Sequence, residues 1–419
     1  MNNQLVVISG GTASNSLVNL FQSLSPNITY ILPISDNGGS TSEILRVLGG
    51  PAIGDLRSRI TRLIPDEGFK NLLSYRLSED GDEAKLEWTS IVEGQHEIWN
   101  GLEIQCKEMV RSFLIHVHME LLKKSRNPST NFKYEMASIG NLLLTGIRLF
   151  VGSLDSAIEL ILRMTRISPN IKILPCLNTN YTYHISAKLH NGDIITGQSQ
   201  ISHPNEPIST ILSSSTSIHK IYDPVIIHED IPYQHPDLNI SQLHFSKNEN
   251  QPLKSPIDKI FYINPYGEEI HPQANSRTIH SIHDSQTLIY SVGSLMTSTI
   301  PVIILKGIGM AIKKSSANKI LLLNGDYDRE TFRLSALNFI ETLCGAVKYS
   351  IDDDRVLLTY DEVVTHLIYM EDSEIPVDVE KISYLGIKCI SVPKDKKLNE
   401  NINVYDLSSL QNSLKTLIH

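Results

Sequence analysis

Two short apolar runs near the start of the sequence are each followed by a glycine-rich turn and then by a helix-like pattern. Residues 5–8 lead into Ser9-Gly10-Gly11-Thr12, and residues 28–34 lead into Ser35-Asp36-Asn37-Gly38-Gly39-Ser40. Neither run alternates apolar and polar positions, which is typical of strands covered on both faces of a parallel sheet. The repeated order of strand, turn and helix predicts an α/β fold with crossover helices.

The pattern changes twice along the rest of the chain. Residues 56–135 predict helices and no strand. Residues 179–256 predict an excursion, because 181–189 and 193–201 alternate around an Asn-Gly pair, a strong hairpin signal, and are followed by a long polar stretch. Further strands are expected at residues 171–174, 259–263, 287–291, 319–323, 365–369 and 387–391, the last five as a return of the α/β pattern. We therefore expect a three-layer α/β sandwich around a mainly parallel sheet, with a helical segment and a β-hairpin excursion.

The composition narrows the classes of partner and compartment. The sequence has 46 acidic and 37 basic residues, a formal net charge of −9, which argues against a nucleic-acid partner but not against a nucleotide. The four cysteines lie far apart and form no CxxC pair, as expected in a reducing compartment. No apolar run reaches the roughly 18 residues of a membrane helix, and the first residues do not resemble a secretory signal. We expect a cytoplasmic protein with no membrane partner.

The first glycine turn is a candidate phosphate site. Gly10, Gly11 and Thr12 lie between a predicted strand and a predicted helix. Glycines let a ligand approach the backbone, and a helix N-terminus offers free N–H groups and the positive end of its dipole. The spacing is neither GxGxxG nor that of a P-loop. The alternative is a tight turn that binds nothing.

The second turn adds a carboxylate at the same end of the sheet. Asp36 could accept a hydrogen bond from a ribose hydroxyl or hold Mg²⁺ beside a diphosphate. It could instead cap the following helix, which is a common role of Asp and Ser. In Gly54-Asp55-Leu56-Arg57, Asp55 could likewise cap a helix, or it could face the cleft as an acid or metal ligand beside Arg57 as a phosphate fork.

Later turns at strand ends are expected to meet at the same edge of the sheet. Ser291-Val292-Gly293-Ser294 and Asn324-Gly325-Asp326 each follow a predicted strand. His280 and His283, three residues apart, are a weak zinc candidate, because no third ligand is evident. No Ser/His/Asp order or GxSxG elbow indicates a hydrolase.

The ordered set of motifs resembles the CofD/YvcK family. The resemblance is carried by residues 7–12, 36–40, 54–57, Ile139-Gly140-Asn141-Leu142-Leu143, residues 291–301, Asn324, and Glu330 with Thr331. The transferase branch moves a phospholactyl group from a guanosine diphosphate ester to an alcohol with Mg²⁺. The YvcK branch, called gluconeogenesis factor, binds UDP-sugars. Gly54-Asp55-Leu56-Arg57 is closer to the YvcK form.

The resemblance implies a single CofD-like, Rossmann-like domain over residues 1–419. It implies that Gly10, Gly11 and Thr12 surround the diphosphate, that Asp55 lies where the acceptor alcohol approaches, and that Asn141 heads a helix lining the cleft. The other residues expected to bind the nucleotide are Asn37, Gly38, Gly39, Ser40, Arg57, Gly293, Ser294 and Asn324. Asp36 and Asp55 are the candidate catalytic residues and Mg²⁺ ligands, and their two roles cannot be separated from the sequence.

Two functions from different classes follow. The first is a protein that binds a GDP- or UDP-linked ester and acts as an Mg²⁺-dependent transferase of a phosphorus-containing group. The second is a non-catalytic, UDP-sugar-binding regulator of carbon metabolism. A homodimer is a candidate assembly for either. An NAD-dependent dehydrogenase is a third interpretation, which the absence of GxGxxG disfavours.

Overall fold

The computed structural model describes residues 4–125, 131–203, 251–395 and 403–418. These residues form a seven-stranded sheet and a four-stranded sheet, with helices packed around them. The strands are β1 (Gln4–Ile8), β2 (Asn27–Leu32), β3 (Ile171–Pro175), β4 (His184–Leu189), β5 (Ile194–Thr196), β6 (Ile257–Ile263), β7 (Glu269–Ile270), β8 (Thr287–Tyr290), β9 (Asn318–Leu322), β10 (His366–Met370) and β11 (Lys388–Val392).

The helices occupy the connections between these strands. They are α1 (Val18–Leu24), α2 (Ser40–Leu48), α3 (Gly54–Leu63), α4 (Glu67–Ser74), α5 (Gly81–Glu93), α6 (Ile104–Lys124), α7 (Ile139–Val151), α8 (Leu154–Met164), α9 (Gln198–Ser202), α10 (Ser276–His283), α11 (Ile300–Ile303), α12 (Ile308–Lys314), α13 (Ala336–Ile351), α14 (Val379–Tyr384) and α15 (Leu407–Lys415). The predicted helical segment is confirmed as α3 to α6. No helix in the described ranges is long and apolar enough to cross a membrane.

The large sheet is entirely parallel and has the strand order β11-β10-β9-β8-β1-β2-β3. From β1, the strands β2 and β3 extend the sheet toward one edge. From β8, the strands β9, β10 and β11 extend it toward the other edge. The two halves meet where Leu5 pairs with Thr287. A crevice forms at such a switch in strand order, at the carboxyl ends of the strands, and is the usual ligand site of open α/β sheets.

The core explains why the apolar runs became interior strands. Leu5, Val6, Val7 and Ile8 are all at most 1% exposed, on both faces of β1. Consecutive apolar residues suit a strand that is covered on both sides, because successive side chains point to opposite faces of the sheet. The expected α/β sandwich with a mainly parallel sheet is therefore confirmed.

One prediction about the hairpin excursion was wrong in part. The hairpin of β4 and β5 forms around Gly192, whose φ is +91°, but its second arm ends at Thr196. Gly197 then turns the chain into the short helix α9, so residues 198–201 are helical. Residues 204–250 of the polar stretch lie outside the described residues.

The strand predicted at 259–263 is real, but it does not rejoin the large sheet. As β6 it pairs antiparallel with β4, and β7 adds to its other edge, which gives the small sheet the order β5-β4-β6-β7. An apolar run indicates that a strand is buried and carries no information about which sheet it joins. The return of the parallel pattern therefore begins at β8.

Candidate functional site

A cavity of about 800 Å³ opens at the carboxyl ends of β1, β2, β8 and β9, where the two halves of the large sheet meet. It contains nearly all of the residues predicted from the sequence. They are Gly10, Gly11, Thr12, Asp36, Gly38, Gly39, Ser40, Asp55, Arg57, Asn141, Gly293, Ser294 and Asn324. Asn37 is not among the lining residues, and its Oδ1 accepts hydrogen bonds from the Ser199 N–H (3.1 Å) and Oγ (2.8 Å). The sheet topology thus brings together motifs that are far apart in the sequence.

The first glycine turn packs directly on the start of α3. A Cβ on Gly11 would lie 2.7 Å from the Asp55 Cα, and a Cβ on Gly10 would lie 2.5 Å from Ser298 Oγ. The Gly11 N–H donates to Asp55 Oδ1 at 2.8 Å. The turn continues into a 3-10 helix at Ala13–Leu17 before α1 begins. Both glycines are therefore needed for close packing, and one of the N–H groups expected to face a phosphate is already bonded to Asp55.

Asp55 does not cap its own helix. The residue that precedes α3 is Ile53, which has no side-chain cap, and the Asp55 carboxylate instead reaches the first glycine turn. Its side chain is buried, with 9% of the residue exposed. Burial, followed by the negative charge of Asp36, raises the pKa of Asp55 to about 7, against the opposing effects of the Gly11 hydrogen bond and two nearby arginines. The carboxyl group can therefore exchange a proton near neutral pH.

The second turn also holds its carboxylate without capping a helix. Asp36 Oδ1 accepts from the Gly38 N–H at 3.1 Å, and the residue before α2 is Gly39. Gly39 has φ +54° and ψ −138°, a conformation that favours glycine. A Cβ on Gly54 would lie 3.7 Å from Asp36 Oδ2, so Asp36 lies next to the start of α3. The capping interpretations of Asp36 and Asp55 were both wrong.

Asn141 connects three of the predicted motifs. Its Nδ2 donates to Ser40 Oγ at 2.9 Å, and its Oδ1 accepts from Arg57 Nε at 3.1 Å. The Ser138 hydroxyl caps α7 by accepting from the Asn141 N–H. Because Asn141 is buried, both ends of its amide are committed to these contacts. It therefore fixes the positions of α2, α3 and α7 around the cavity.

The turns after β8 and β9 are joined in the same way. The Gly293 N–H donates to Asn324 Oδ1 at 3.0 Å, and Asn324 Nδ2 donates to the Gly293 carbonyl at 2.8 Å. The Ser294 hydroxyl donates to Glu330, as does Thr297 Oγ1 at 3.0 Å. Gly293 has φ +134°, within the region that favours glycine. The turn of residues 291–294 is therefore an ordered wall of the cavity.

Two buried charged residues escaped the site prediction. Glu330, matched only as part of a motif, is buried, and burial followed by the charge of Asp328 raises its pKa to about 8. Arg59 is 0% exposed and donates to Ser9 Oγ (3.2 Å), the Gly10 carbonyl (3.2 Å) and Ser14 Oγ (2.5 Å). Arg59 lies three residues after Leu56 and four before Leu63, on the apolar side of α3. A charged residue on the apolar side of a predicted helix was the signal in the sequence that could have identified Arg59 as buried.

The donor set fits Mg²⁺ better than zinc. Asp36 and Asp55 bring two carboxylates together at the cavity, and Mg²⁺ typically takes one or two carboxylates plus substrate phosphates and water. Within the described ranges, no group of three His, Cys, Asp or Glu side chains could hold a metal by itself. His280 and His283 bond instead to the Ser276 carbonyl and Asp284.

Comparison with known proteins identifies the family. A sequence model described as 2-phospho-L-lactate transferase CofD matches residues 5–394. The chain belongs to the CofD family. An uncharacterized protein of Saccharomyces cerevisiae is 44% identical to this CofD-family chain, over 94% of this chain and 96% of that protein. The gluconeogenesis factor of Halalkalibacterium halodurans is 21% identical, over 98% of this chain and 97% of the relative.

Solved structures agree on the fold. An X-ray structure of a Bacillus halodurans protein matches with a TM-score of 0.63 at 18% identity, over 99% of both chains. A second structure, described as a member of the UPF0052 family from the same organism, matches with a TM-score of 0.62 at 17% identity, over 98% of both chains. The family predicted from the order of the motifs is therefore confirmed, with relatives named gluconeogenesis factor as well as the CofD match.

Proposed function

We propose that this chain binds a nucleoside-diphosphate ester, linked to GDP or UDP, in the cavity at the switch point of the large sheet. The observation that carries the proposal is the pair of neighbouring carboxylates, Asp36 and Asp55, in a cavity that glycine turns, hydroxyls and Arg57 also line. The glycine turns let a diphosphate approach the backbone, and Ser40 and Thr41 add hydroxyl donors.

The buried acid supports a transfer reaction. In its ionised form Asp55 would accept the proton of an acceptor alcohol. The alcohol oxygen would form a bond to the distal phosphorus, the bridging P–O bond would break, and a nucleoside monophosphate would leave with that electron pair. The acid's pKa of about 7 allows it to take and release a proton in each cycle at neutral pH.

Asp36 and Asp55 are the residues that would hold Mg²⁺. The charge of Asp36 adds to the larger effect of burial in raising the pKa of Asp55, so the two carboxylates repel, and a divalent cation would relieve that repulsion. When bound, Mg²⁺ would neutralise charge on the diphosphate. In this arrangement Asp36 is the stronger candidate for the metal, since Asp55 Oδ1 is already bonded to the Gly11 N–H.

A second candidate function is favoured by the names of the bacterial relatives. Several are called gluconeogenesis factor or putative gluconeogenesis factor, and the match to the one from H. halodurans spans nearly the whole of both chains. In this alternative the same cavity binds a UDP-sugar, leaves it intact, and the complex regulates carbon metabolism through a partner. The two functions share the ligand site and differ in turnover.

The test combines ligand binding with turnover. Thermal unfolding is measured against GDP, UDP, GDP-mannose, UDP-glucose and NADH, each with and without Mg²⁺, and any stabilising ester is then incubated with an alcohol panel and followed by ³¹P NMR. A ligand at about 100 times its Kd adds roughly 2.7 kcal/mol of stability, a shift of several degrees. Release of a nucleoside monophosphate supports the transferase, and tight binding with no turnover supports the regulator. No shift with any GDP or UDP compound would overturn the proposal.

A further inference from the structure

Arg59 lies directly behind the first glycine turn. It is 0% exposed and is not among the residues that line the cavity, whereas Gly10, Gly11 and Thr12 are. Its Nη2 donates to the Gly10 carbonyl at 3.2 Å, and its Nη1 donates to the Ser14 carbonyl at 3.4 Å. The turn therefore separates the guanidinium from the cavity, and Arg59 supports the turn from the side that faces the protein interior.

The charge of Arg59 forms no ion pair within the described ranges. Its other contacts are with neutral groups: Ser9 Oγ at 3.2 Å, Ser14 Oγ at 2.5 Å, and the ring of Tyr30, whose centroid lies 4.7 Å from the guanidinium carbon. Its buried Nε has no hydrogen-bond partner in the same ranges. Burial lowers the pKa of Arg59 to about 10, and the opposing effects of Tyr30 and Asp55 are smaller. The group is therefore still a cation at neutral pH.

A buried cation of this kind favours an anion on the other side of the turn. Burying an unpaired charge destabilises a protein, because the interior does not replace the hydration that the charge loses. Asp55 offsets the charge of Arg59 only in part, since the Asp55 pKa is raised to about 7 and its Oδ1 is bonded to the Gly11 N–H. Charges act over several ångströms where water is excluded, so an anion in the cavity would complete the compensation without touching Arg59.

The first glycine turn lacks part of what usually attracts an anion to such a turn. The Gly11 N–H is already bonded to the Asp55 carboxylate, which also brings negative charge to the turn. The helix that follows begins as a 3-10 helix at Ala13–Leu17, and 3-10 hydrogen bonds have poorer geometry than those of an α-helix. A diphosphate on this turn therefore needs positive charge from another source, and the guanidinium of Arg59 is placed to provide it.

We propose that Arg59 is a positioning residue for the diphosphate of the ligand, which it acts on through the first glycine turn. Its four hydrogen bonds hold residues 9–14 in place, and its charge favours a diphosphate over a monophosphate on the cavity side of the turn. This inference rests on the proposed function and adds a residue that sets its specificity. A purely structural role, in which Arg59 only ties α3 to the turn, would change the stability of the protein and leave that preference unchanged.

The experiment compares ligands that differ only in one phosphate. Dissociation constants are measured by calorimetry, with Mg²⁺ present, for UDP against UMP and for GDP against GMP. Arg59→Gln removes the charge, and Arg59→Lys keeps it. Arg148→Gln is the matched control, because Arg148 is also buried and donates to a turn carbonyl, that of Gly49, but does not line the cavity.

A second variant removes the effect of the charge and leaves Arg59 in place. Ser14→Asp puts a carboxylate next to the guanidinium, because Ser14 Oγ already accepts a hydrogen bond from Arg59 Nη2. The two groups would form an ion pair behind the turn, which offsets the positive charge that a ligand meets. Thermal unfolding without ligand checks that each variant is folded at the temperature of the titration.

The expected result is that the wild type and Arg148→Gln bind the diphosphate about tenfold or more tightly than the monophosphate. In Arg59→Gln and in Ser14→Asp this preference falls to roughly threefold or less, and in Arg59→Lys most of it is retained.

Several outcomes would overturn the role of Arg59 and leave the proposed function standing. They are a wild type that binds UDP or GDP without preference over the monophosphate, a preference that survives in Arg59→Gln, and a preference lost equally in Arg59→Lys while that variant is folded. Failure of both Arg59→Gln and Ser14→Asp to fold would assign Arg59 to folding alone and would overturn it too. Failure of every compound to bind the wild type would overturn the proposed function as well.

Discussion

At the scale of single residues, the site is organised around one carboxyl group. Asp55 accepts the Gly11 N–H, faces Asp36, and is followed in α3 by Arg57 and Arg59. The sequence marked Asp55 as a candidate because of its motif. It could not show that burial and a second carboxylate would move its pKa to near 7, because both depend on contacts between segments that are far apart in the chain.

The rate of the proposed transfer should rise with pH through about 7. Only the ionised form of Asp55 can take the proton, and its pKa is raised to about 7, first by burial and then by Asp36. In Asp36→Asn the inflection in kcat/KM should move to lower pH, since one raising charge is removed. Asp193→Asn, in the exposed hairpin turn, is the matched control and should leave the profile unchanged. An inflection that does not move in Asp36→Asn would remove Asp36 from the environment of the acid.

Binding and transfer should separate in Asp55→Asn. The asparagine Oδ1 can still accept from the Gly11 N–H, so the glycine turn keeps its position. Without a base, transfer should fall by about 10²-fold or more, while nucleotide affinity measured by calorimetry stays within about twofold. Unchanged turnover in this variant would exclude Asp55 from the mechanism.

At the scale of elements, the cavity depends on how closely α7 approaches α3 and α4. Gly140 makes this approach feasible, because a Cβ there would lie 2.4 Å from the Leu73 carbonyl oxygen. The helix pattern of residues 139–151 could be predicted from the sequence, together with a role for Asn141. The need for glycine one position earlier could not, since it arises from the backbone of another helix.

Gly140→Ala should destabilise the protein and weaken ligand binding together. The clash is with backbone, which cannot move aside cheaply, so we expect a loss of about 1–3 kcal/mol in the free energy of unfolding. Gly345→Ala is the matched control in α13, where an added Cβ meets nothing within 4 Å. Helix propensity predicts that this control gains up to about 1 kcal/mol. Urea unfolding of both variants measures the difference, and equal stability of the two would refute the close approach.

At the scale of the whole molecule, the buried acids link stability to pH. The folded-state pKa values of Asp55 and Glu330 are raised to about 7 and about 8, above the ordinary values of unfolded carboxyl groups near 4. Between those limits the folded protein binds more protons than the unfolded chain, so its stability falls as pH rises.

Thermal unfolding without ligand should therefore give a Tm that decreases from pH 5 to pH 8. Asp55→Asn combined with Glu330→Gln should flatten this dependence, because both buried charges are removed while the amide oxygens still accept the existing hydrogen bonds. The pair Asp193→Asn and Glu79→Gln, both exposed, should retain the wild-type slope. A double variant as pH-dependent as the wild type would mean that these acids are not buried as described.

Much of the architecture could be predicted from local patterns. The strands that became β1, β2, β3 and β8 to β11 were marked by apolar runs, and the order of the glycine motifs indicated the family. The placement of β6 was not predictable in this way. An apolar run shows that a strand is buried, but it does not show that the strand pairs with β4 of the small sheet. Arg59 was also missed. Its structural role depends on four hydrogen bonds to the first glycine turn and to Ser14, and these contacts between distant segments are not visible in the sequence.

The pairing of β1 with β8 has a consequence for how the protein is made. Leu5 meets Thr287 only after more than half of the chain has left the ribosome, whereas β2 and β3 are available much earlier. Until then β1, an interior strand of the finished sheet, has one unpaired edge, and open apolar edges promote aggregation. A nascent chain that ends before β8 should therefore need a chaperone, and its productive folding waits on synthesis of the second half.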